Sequence, residues 1–515
     1  MTVVSAASGT GAGSWRLLKR SDGEDEDEEG GAGEEKPADE AGDDPPCEVL
    51  DPSCRHSRGV TLAVLVMVFI ANQACRALPF YLVNFSDRAD SDGAMNVALH
   101  FGSGRYGFLA TLGFTMPFTL GSLVAGVVAD KADRMHISGL AGLMWSFCTL
   151  CMAGAASYPV VLLLRILLGL SQSITNPAAL SLIADLFPQA RATMSSVFGL
   201  GIYLGTGIAS LGLALDEHLG WRDCSAIFGL VSMALSLLAF VPADRRRPPP
   251  AHEPGGGSAA HSGGGTVSGA GAGAGAGRGL LGTAGMLRDM LKGMPDALGA
   301  VFTRTAEALA SKAARWLLLA SGLRFCAGFG ILVWLPSAMQ SRFPDHTKQF
   351  SVCNSLIKAV AGGVSSVAGG LTSDMLHRRG FGDRAGAMFS AASSLVSAPL
   401  WYMVLDTEHS FEVSMGFLLA EYLTAESWLG PAVATLQGAV PADRRGAAQG
   451  VFSSLTALGN ALPAALGLLA AEDLAPGLQV SVAVCYVLSA MCFSMAALSL
   501  PGNPEDVEPV QSQSE

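Results

Sequence analysis

Gly126-Val-Val-Ala-Asp130-Lys131-Ala-Asp-Arg134 and Gly370-Leu-Thr-Ser-Asp374-Met-Leu-His-Arg378 both read G-x-x-x-D-x-x-x-R, offset by 244 residues. Each follows a long apolar run. A second echo keeps the same order: FPQARAT at 187–193, with Arg191, is answered by VPADRRGAA at 440–448. Two motifs recurring in order at nearly one offset signal an internal duplication. Working outward from them, apolar runs long enough to cross a bilayer, about 20 residues, number twelve. They fall at 59–83, 105–129, 136–157, 159–182, 194–215, 222–242, 315–338, 350–373, 385–405, 411–438, 447–470 and 476–500. The sequence therefore predicts an all-α membrane protein, twelve spans in two pseudo-symmetric six-helix bundles. Parallel repeats of this kind place a substrate site between the halves near the midplane.

Composition agrees with that reading. Half of the 515 residues are hydrophobic and only 15% are charged, with a mean hydropathy of +0.39; soluble chains run nearer a quarter charged. The net charge of −12 is local. Residues 22–44 carry thirteen Asp/Glu against the single Lys36, so the rest of the chain sums to zero. That excludes a nucleic-acid partner by position as well as by sign. Small residues crowd several spans, as in AVAGGVSSVAGG at 359–370, and let helices approach closely in lipid. Tyr81, Tyr106, Tyr158, Trp221, Trp334, Trp401 and Tyr402 fall near span ends, where an aromatic belt is expected. The ten cysteines form no framework. Cys148 and Cys151 have redox-motif spacing but lie mid-span without a second pair, so packing is the expected role.

Twelve spans put both termini on one side. With that side inside, 23 Lys/Arg lie in inner segments, five in outer loops and four within spans, which predicts cytosolic termini. Residues 1–58 form an acidic tail too polar to order itself. The bundles occupy 59–242 and 315–500, joined by a cytosolic linker, 243–314, that runs through Gly-Ala repeats; 501–515 is a second tail. An amphipathic stretch at 287–316 suits a helix lying on the inner membrane surface or a plain tether. The basic start of the chain faintly resembles a transit peptide but lacks a signal peptide's apolar core. Ser21 beside its acids is a candidate phosphorylation site. The sequon at Asn84 abuts the membrane too closely to expect a glycan.

The loop after span two, with Lys131 where arginine is usual, and Arg165-Ile-Leu-Leu-Gly169 in span four resemble the signatures of the major facilitator superfamily. Within it the chain is most similar to the spinster-like group of lysolipid and sphingolipid transporters. That likeness rests on Arg76, on RILLGLSQ at 165–172, on ADLFPQAR at 184–191 and on GIYLGTGIAS at 201–210 followed by Gly220-Trp221-Arg222. ESWLGP at 426–431 and VPADRRGAA continue it. The group's pattern has Asp-Arg in span one and Gly-x-Gly-Glu in span four. Here Cys75 and Gln172 stand in place of the two acids that the resemblance would offer as a proton-sensing pair, so proton coupling by that route is not expected.

Charges inside a span are costly and mark cavities or pairs. Arg76, Arg165, Arg324, Lys358, Glu421 and Glu426, with Gln172, are the candidate substrate-binding residues. Depth counted along the spans pairs Lys358 with Glu421 and Arg324 with Glu426, as structural pairs or as substrate contacts. Such pairing would keep both acids ionised and transport nearly indifferent to a pH gradient. Arg76 has no acid at its level in the first half, so an anionic ligand is a natural partner, with solvation by carbonyls or water the alternative. Gly126, Asp130, Arg134, Arg191, Gly370, Asp374 and Arg378 at the inner ends are candidate gating residues, which bias inward against outward states or simply anchor the loops.

The function expected is secondary transport by alternating access of an anionic or amphipathic organic solute such as a lysolipid. A small organic anion carrier and a non-transporting receptor on the same fold are the alternatives. An enzyme lacks its parts: all nine histidines fall in tails, loops or membrane boundaries, and no G-x-S-x-G, H-E-x-x-H or G-K-[ST] element is present. No catalytic residue, metal or cofactor is expected. The partners are a small-molecule or lipid-like substrate and the bilayer, with a monomer the expected state.

Overall fold

A computed structural model describes residues 52–85, 93–131, 134–187, 191–240, 309–376, 379, 384–441, 445–469 and 474–500. Within these, it leaves undescribed the side chains of 52–57, 123–131, 184, 191–193, 374, 445–447, 449, 450 and 453. The described residues contain helices and no strand. The acidic tail with Ser21, most of the linker and Ser86 of the sequon lie outside them.

Twelve crossings are traced. Pro52–Ala77 forms the first, and Ser103–Ala110 with Leu112–Lys131 the second. Arg134–Met152 is the third, and Tyr158–Gln172 with Thr175–Leu186 the fourth. Arg191–Leu237 holds spans five and six, divided at Gly220, whose φ of 79° only glycine adopts cheaply. Lys312–Arg342 is the seventh, its start capped by Ser311, whose hydroxyl accepts from the Ala314 amide at 3.3 Å. Span eight runs through Thr347–Leu356, a π-helical turn Ile357–Gly362 and Gly363–Leu376. Arg384–Val404 is the ninth. Span ten is Phe411–Ala425, Glu426–Trp428 and Leu429–Gly438. Arg445–Gly459 with Ala461–Leu469, then Leu474–Leu498, complete the bundle. Eight described helices are long and apolar enough to cross a membrane by length and composition. The twelve-span reading counts spans five and six separately and adds two, ten and eleven.

Leucines and valines on outer faces are left bare, Leu371, Leu468, Leu469 and Leu498 among them. Bare apolar faces are unfavourable in water but suit hydrocarbon. Close helix contacts use small residues. A Cβ on Gly369 would collide with the Ser427 carbonyl, and one on Gly207 would lie 2.8 Å from the Ser355 carbonyl. The second of these joins the first six spans to the last six. The largest buried cluster also crosses between them, from Tyr81, Tyr106 and Leu213 to Trp334, Phe350 and Trp401.

The expected aromatic belt is corrected here. Tyr81, Tyr106, Trp221, Trp334 and Trp401 are buried inside the bundle, and of the seven only Tyr402 is exposed, at 43%. The polar tips of Tyr81, Tyr106, Trp334 and Trp401 find partners within the protein, as buried Tyr and Trp usually do. Tyr106 donates to the Val333 carbonyl at 2.9 Å, Trp334 to Pro463 at 2.8 Å and Trp401 to Gln479 at 3.2 Å. Tyr106 and Trp334 meet edge to face, centroids 4.8 Å apart, with Phe85 against both. The Tyr106 and Phe85 contacts join the halves at the end where Tyr81 lies.

Candidate functional site

Arg76 ends the first long helix, one turn before Pro79 converts it to a 3-10 turn. Its guanidinium carbon lies 4.5 Å from the centroid of Phe114, 5.5 Å from Phe118 and 5.9 Å from Phe329. Phe114 and Phe118 belong to span two, one helical turn apart, while Phe329 comes from span seven in the other half. Cation–π contact offsets part of the lost hydration. No described carboxylate lies within ion-pair distance of Arg76. Arg165, wholly buried, stands beside it. Its Nη1 donates to the Arg76 carbonyl at 2.9 Å, and its guanidinium faces Phe114 at 5.2 Å and Phe80 at 5.6 Å. Two turns along, Gln172 donates to the Asn72 carbonyl at 3.0 Å. Cys75 is buried, its thiol 3.9 Å from the Phe228 carbonyl.

The second half gathers the remaining charges, and their partners differ from those expected. Lys358 and Glu421 form no contact ion pair among the described residues, nor do Arg324 and Glu426. Lys358, 2% exposed in the π-helical turn, donates to the Tyr81 hydroxyl at 2.6 Å. Glu421 accepts from the Tyr486 hydroxyl. Glu426 accepts from Tyr203 at 3.1 Å. Arg324 donates to the Ala425 carbonyl and packs on Tyr486 at 4.4 Å and Trp428 at 5.4 Å. Matching depth placed the four charges in one layer, but phenols within reach took the hydrogen bonds. The expected indifference to a pH gradient rested on contact pairs and loses that support.

Tyr81 and Tyr203 belong to the first half and reach charges in the second. Around Tyr81 the link is extended by Asn354, whose amide donates to the Tyr81 hydroxyl at 3.2 Å and to Ser210 at 2.9 Å. Ser210 and Ser351 exchange hydroxyl-to-carbonyl bonds at 3.1 and 2.7 Å. Charge alone did not single these residues out. The available signal was a tyrosine, an asparagine and serines at helix-facing spacing inside otherwise apolar runs.

At the opposite end, Arg134 at the start of span three forms an ion pair with Asp185 near the end of span four. Gly126 and Asp130 lie in the final turns of Leu112–Lys131, Arg191 opens its helix and Asp374 lies in Gly363–Leu376, but their side chains are outside the described ones, as is Arg378 entirely. Gly370 faces Gly430, whose added Cβ would sit 3.5 Å from the Gly370 Cα.

A family model described as the Major Facilitator Superfamily matches residues 60–464. Protein spinster homolog 1 of Rattus norvegicus is 27% identical over 213 residues, 38% of this chain. The matched part likewise spans only 38% of that relative's length. The Gallate transporter of Pseudomonas putida is 29% identical over 118 residues, 22% of this chain and 26% of its own. Among solved structures, a bacterial homologue of the human lysosomal transporter Spinster, in an inward-facing and unoccupied conformation, aligns with a TM-score of 0.62. The identity is 15%, covering 87% of this chain and 97% of that one; at that identity the likeness is one of fold.

Proposed function

The chain belongs to the Major Facilitator Superfamily, and from that premise we propose that it is a secondary transporter for an anionic, amphipathic organic solute such as a lysolipid. It works by alternating access rather than by chemistry on the solute. The observation that carries the reading is Arg76: a guanidinium with no described carboxylate partner, set among phenyl rings from both halves. An anionic head group on Arg76 and an acyl chain along those rings would satisfy charge and apolar surface together. Arg165, Gln172, Arg324, Lys358, Glu421 and Glu426 form the surrounding polar wall.

The termini and linker are cytosolic in this reading, so the Tyr81 end faces outward and this conformer is closed there. Asp130, Arg134, Arg191, Asp374 and Arg378, with Gly126 and Gly370, act at the inner gate, where the Arg134–Asp185 pair is one contact that opening or closing would remake. A small organic anion carrier is the second reading, favoured by similarity to a gallate transporter. Thermal unfolding of the purified protein against a lysolipid panel and a carboxylate panel separates the two. Stabilisation by lysophosphatidyl species and not by free carboxylates supports the first reading; the reverse supports the second, and stabilisation by neither removes both.

A further inference from the structure

Arg165 is 0% exposed and donates through Nη1 alone. Its Nε and Nη2 meet no protein acceptor among the described residues. Those two N–H groups form one edge of the guanidinium, the side-on fork that grips an anion with two parallel hydrogen bonds. Elsewhere on spans one, two and four, Asn72 Nδ2, Thr115 Oγ1 and Gln172 Oε1 are also buried without protein partners. Two of those three can donate. The charge is as lopsided as the hydrogen bonding. Arg76 and Arg165 share one ring, Phe114, and the position beside Arg76 that could have held a carboxylate is Cys75. A pair of guanidiniums in a low-dielectric interior with no described counter-charge is strongly unfavourable.

We propose that the Nε–Nη2 edge of Arg165 binds a small monovalent inorganic anion, of which chloride is the abundant case. The anion supplies a counter-charge that no described carboxylate provides and offsets one of the two positive charges. It takes the free edge of Arg165 within the polar wall around Arg76 and requires no solute on Arg76, so the proposal can stand or fall without the solute reading.

Thermal unfolding of the full-length protein in detergent tests it, with chloride titrated against gluconate at constant ionic strength and no organic solute added. The wild type is expected to gain roughly 2–4 °C, saturably, in chloride. Arg165→Gln is expected to lose that response. Because Arg165→Gln could misfold, a second variant keeps the arginine. Cys75 immediately precedes Arg76, whose carbonyl Arg165 holds, so Cys75→Asp supplies a fixed counter-charge and should be equally stable in chloride and gluconate. A wild type indifferent to chloride overturns the proposal. So does an undiminished chloride response in Cys75→Asp or in a folded Arg165→Gln.

Discussion

At the scale of the residue, the two arginines of the first half divide the labour. Arg76 is the half-buried one, flanked by rings, and Arg165 is the wholly buried one that braces the Arg76 carbonyl. Replacing Arg76 by alanine is expected to abolish solute binding, while lysine should weaken it about 10-fold or more, because a point charge cannot reproduce a bidentate fork. Isothermal titration or thermal shift on the purified variants reads this directly; unchanged affinity in Arg76→Ala would remove the residue from the site. That a charge sat in span one was plain from the sequence, since an arginine inside an apolar run has few innocent explanations. Its surroundings were not. Phe114, Phe118 and Phe329 are ordinary apolar residues in their own spans, and only the folded bundle brings them to one guanidinium. Tyr81 shows the opposite error. Its place at a span end suggested a lipid-facing ring, whereas its hydroxyl accepts from Lys358 and Asn354 in the interior.

At the scale of the element, span eight is the part most plainly built for a purpose. Its π-helical turn adds an off-register residue to the helix, a device often found at functional sites, and that turn carries Lys358. Tyr81 ties this turn to the first half, so Tyr81→Phe keeps the ring and deletes the acceptor. The loss of a charge-assisted bond, about 1.5–3 kcal/mol, should shift the population toward opening at that end by roughly tenfold or more. A cysteine placed at Val83 in a background without the native cysteines should then react faster with a membrane-impermeant maleimide. An unchanged rate would mean the Tyr81 link does not hold that end. At the other end, Arg134→Ala is expected to lower transport more than surface amount. The exchange of Arg134→Asp with Asp185→Arg should recover part of it, a coupling that two independent anchors would not show. Pairings at this scale were the least legible in the sequence. Counting residues gives the depth of Glu421 and Glu426, but not which face each turns to a neighbour. The competing phenols Tyr486 and Tyr203 come from spans twelve and five.

At the scale of the whole molecule, the duplication written in the two G-x-x-x-D-x-x-x-R motifs set the architecture, because a run of apolar residues near the thickness of a bilayer admits little but a helix. Breaks inside spans two, four, eight, ten and eleven escaped the same reading, since one or two polar residues, such as Thr111, Ser173 or Asn460, barely change the mean hydropathy of a long apolar run. Orientation follows from charge, so protease added to sealed right-side-out cells should spare the linker; cleavage between residues 250 and 280 would invert the topology proposed. The central claim, a transporter whose solute site includes Arg76, is tested most directly by flux. Purified wild-type and Arg76→Ala proteins, reconstituted at equal amounts, are assayed for uptake of a radiolabelled lysophospholipid into proteoliposomes. Saturable uptake by the wild type and none above empty vesicles for Arg76→Ala is the predicted result; equal uptake by both proteins, or binding without uptake by the wild type, would contradict it.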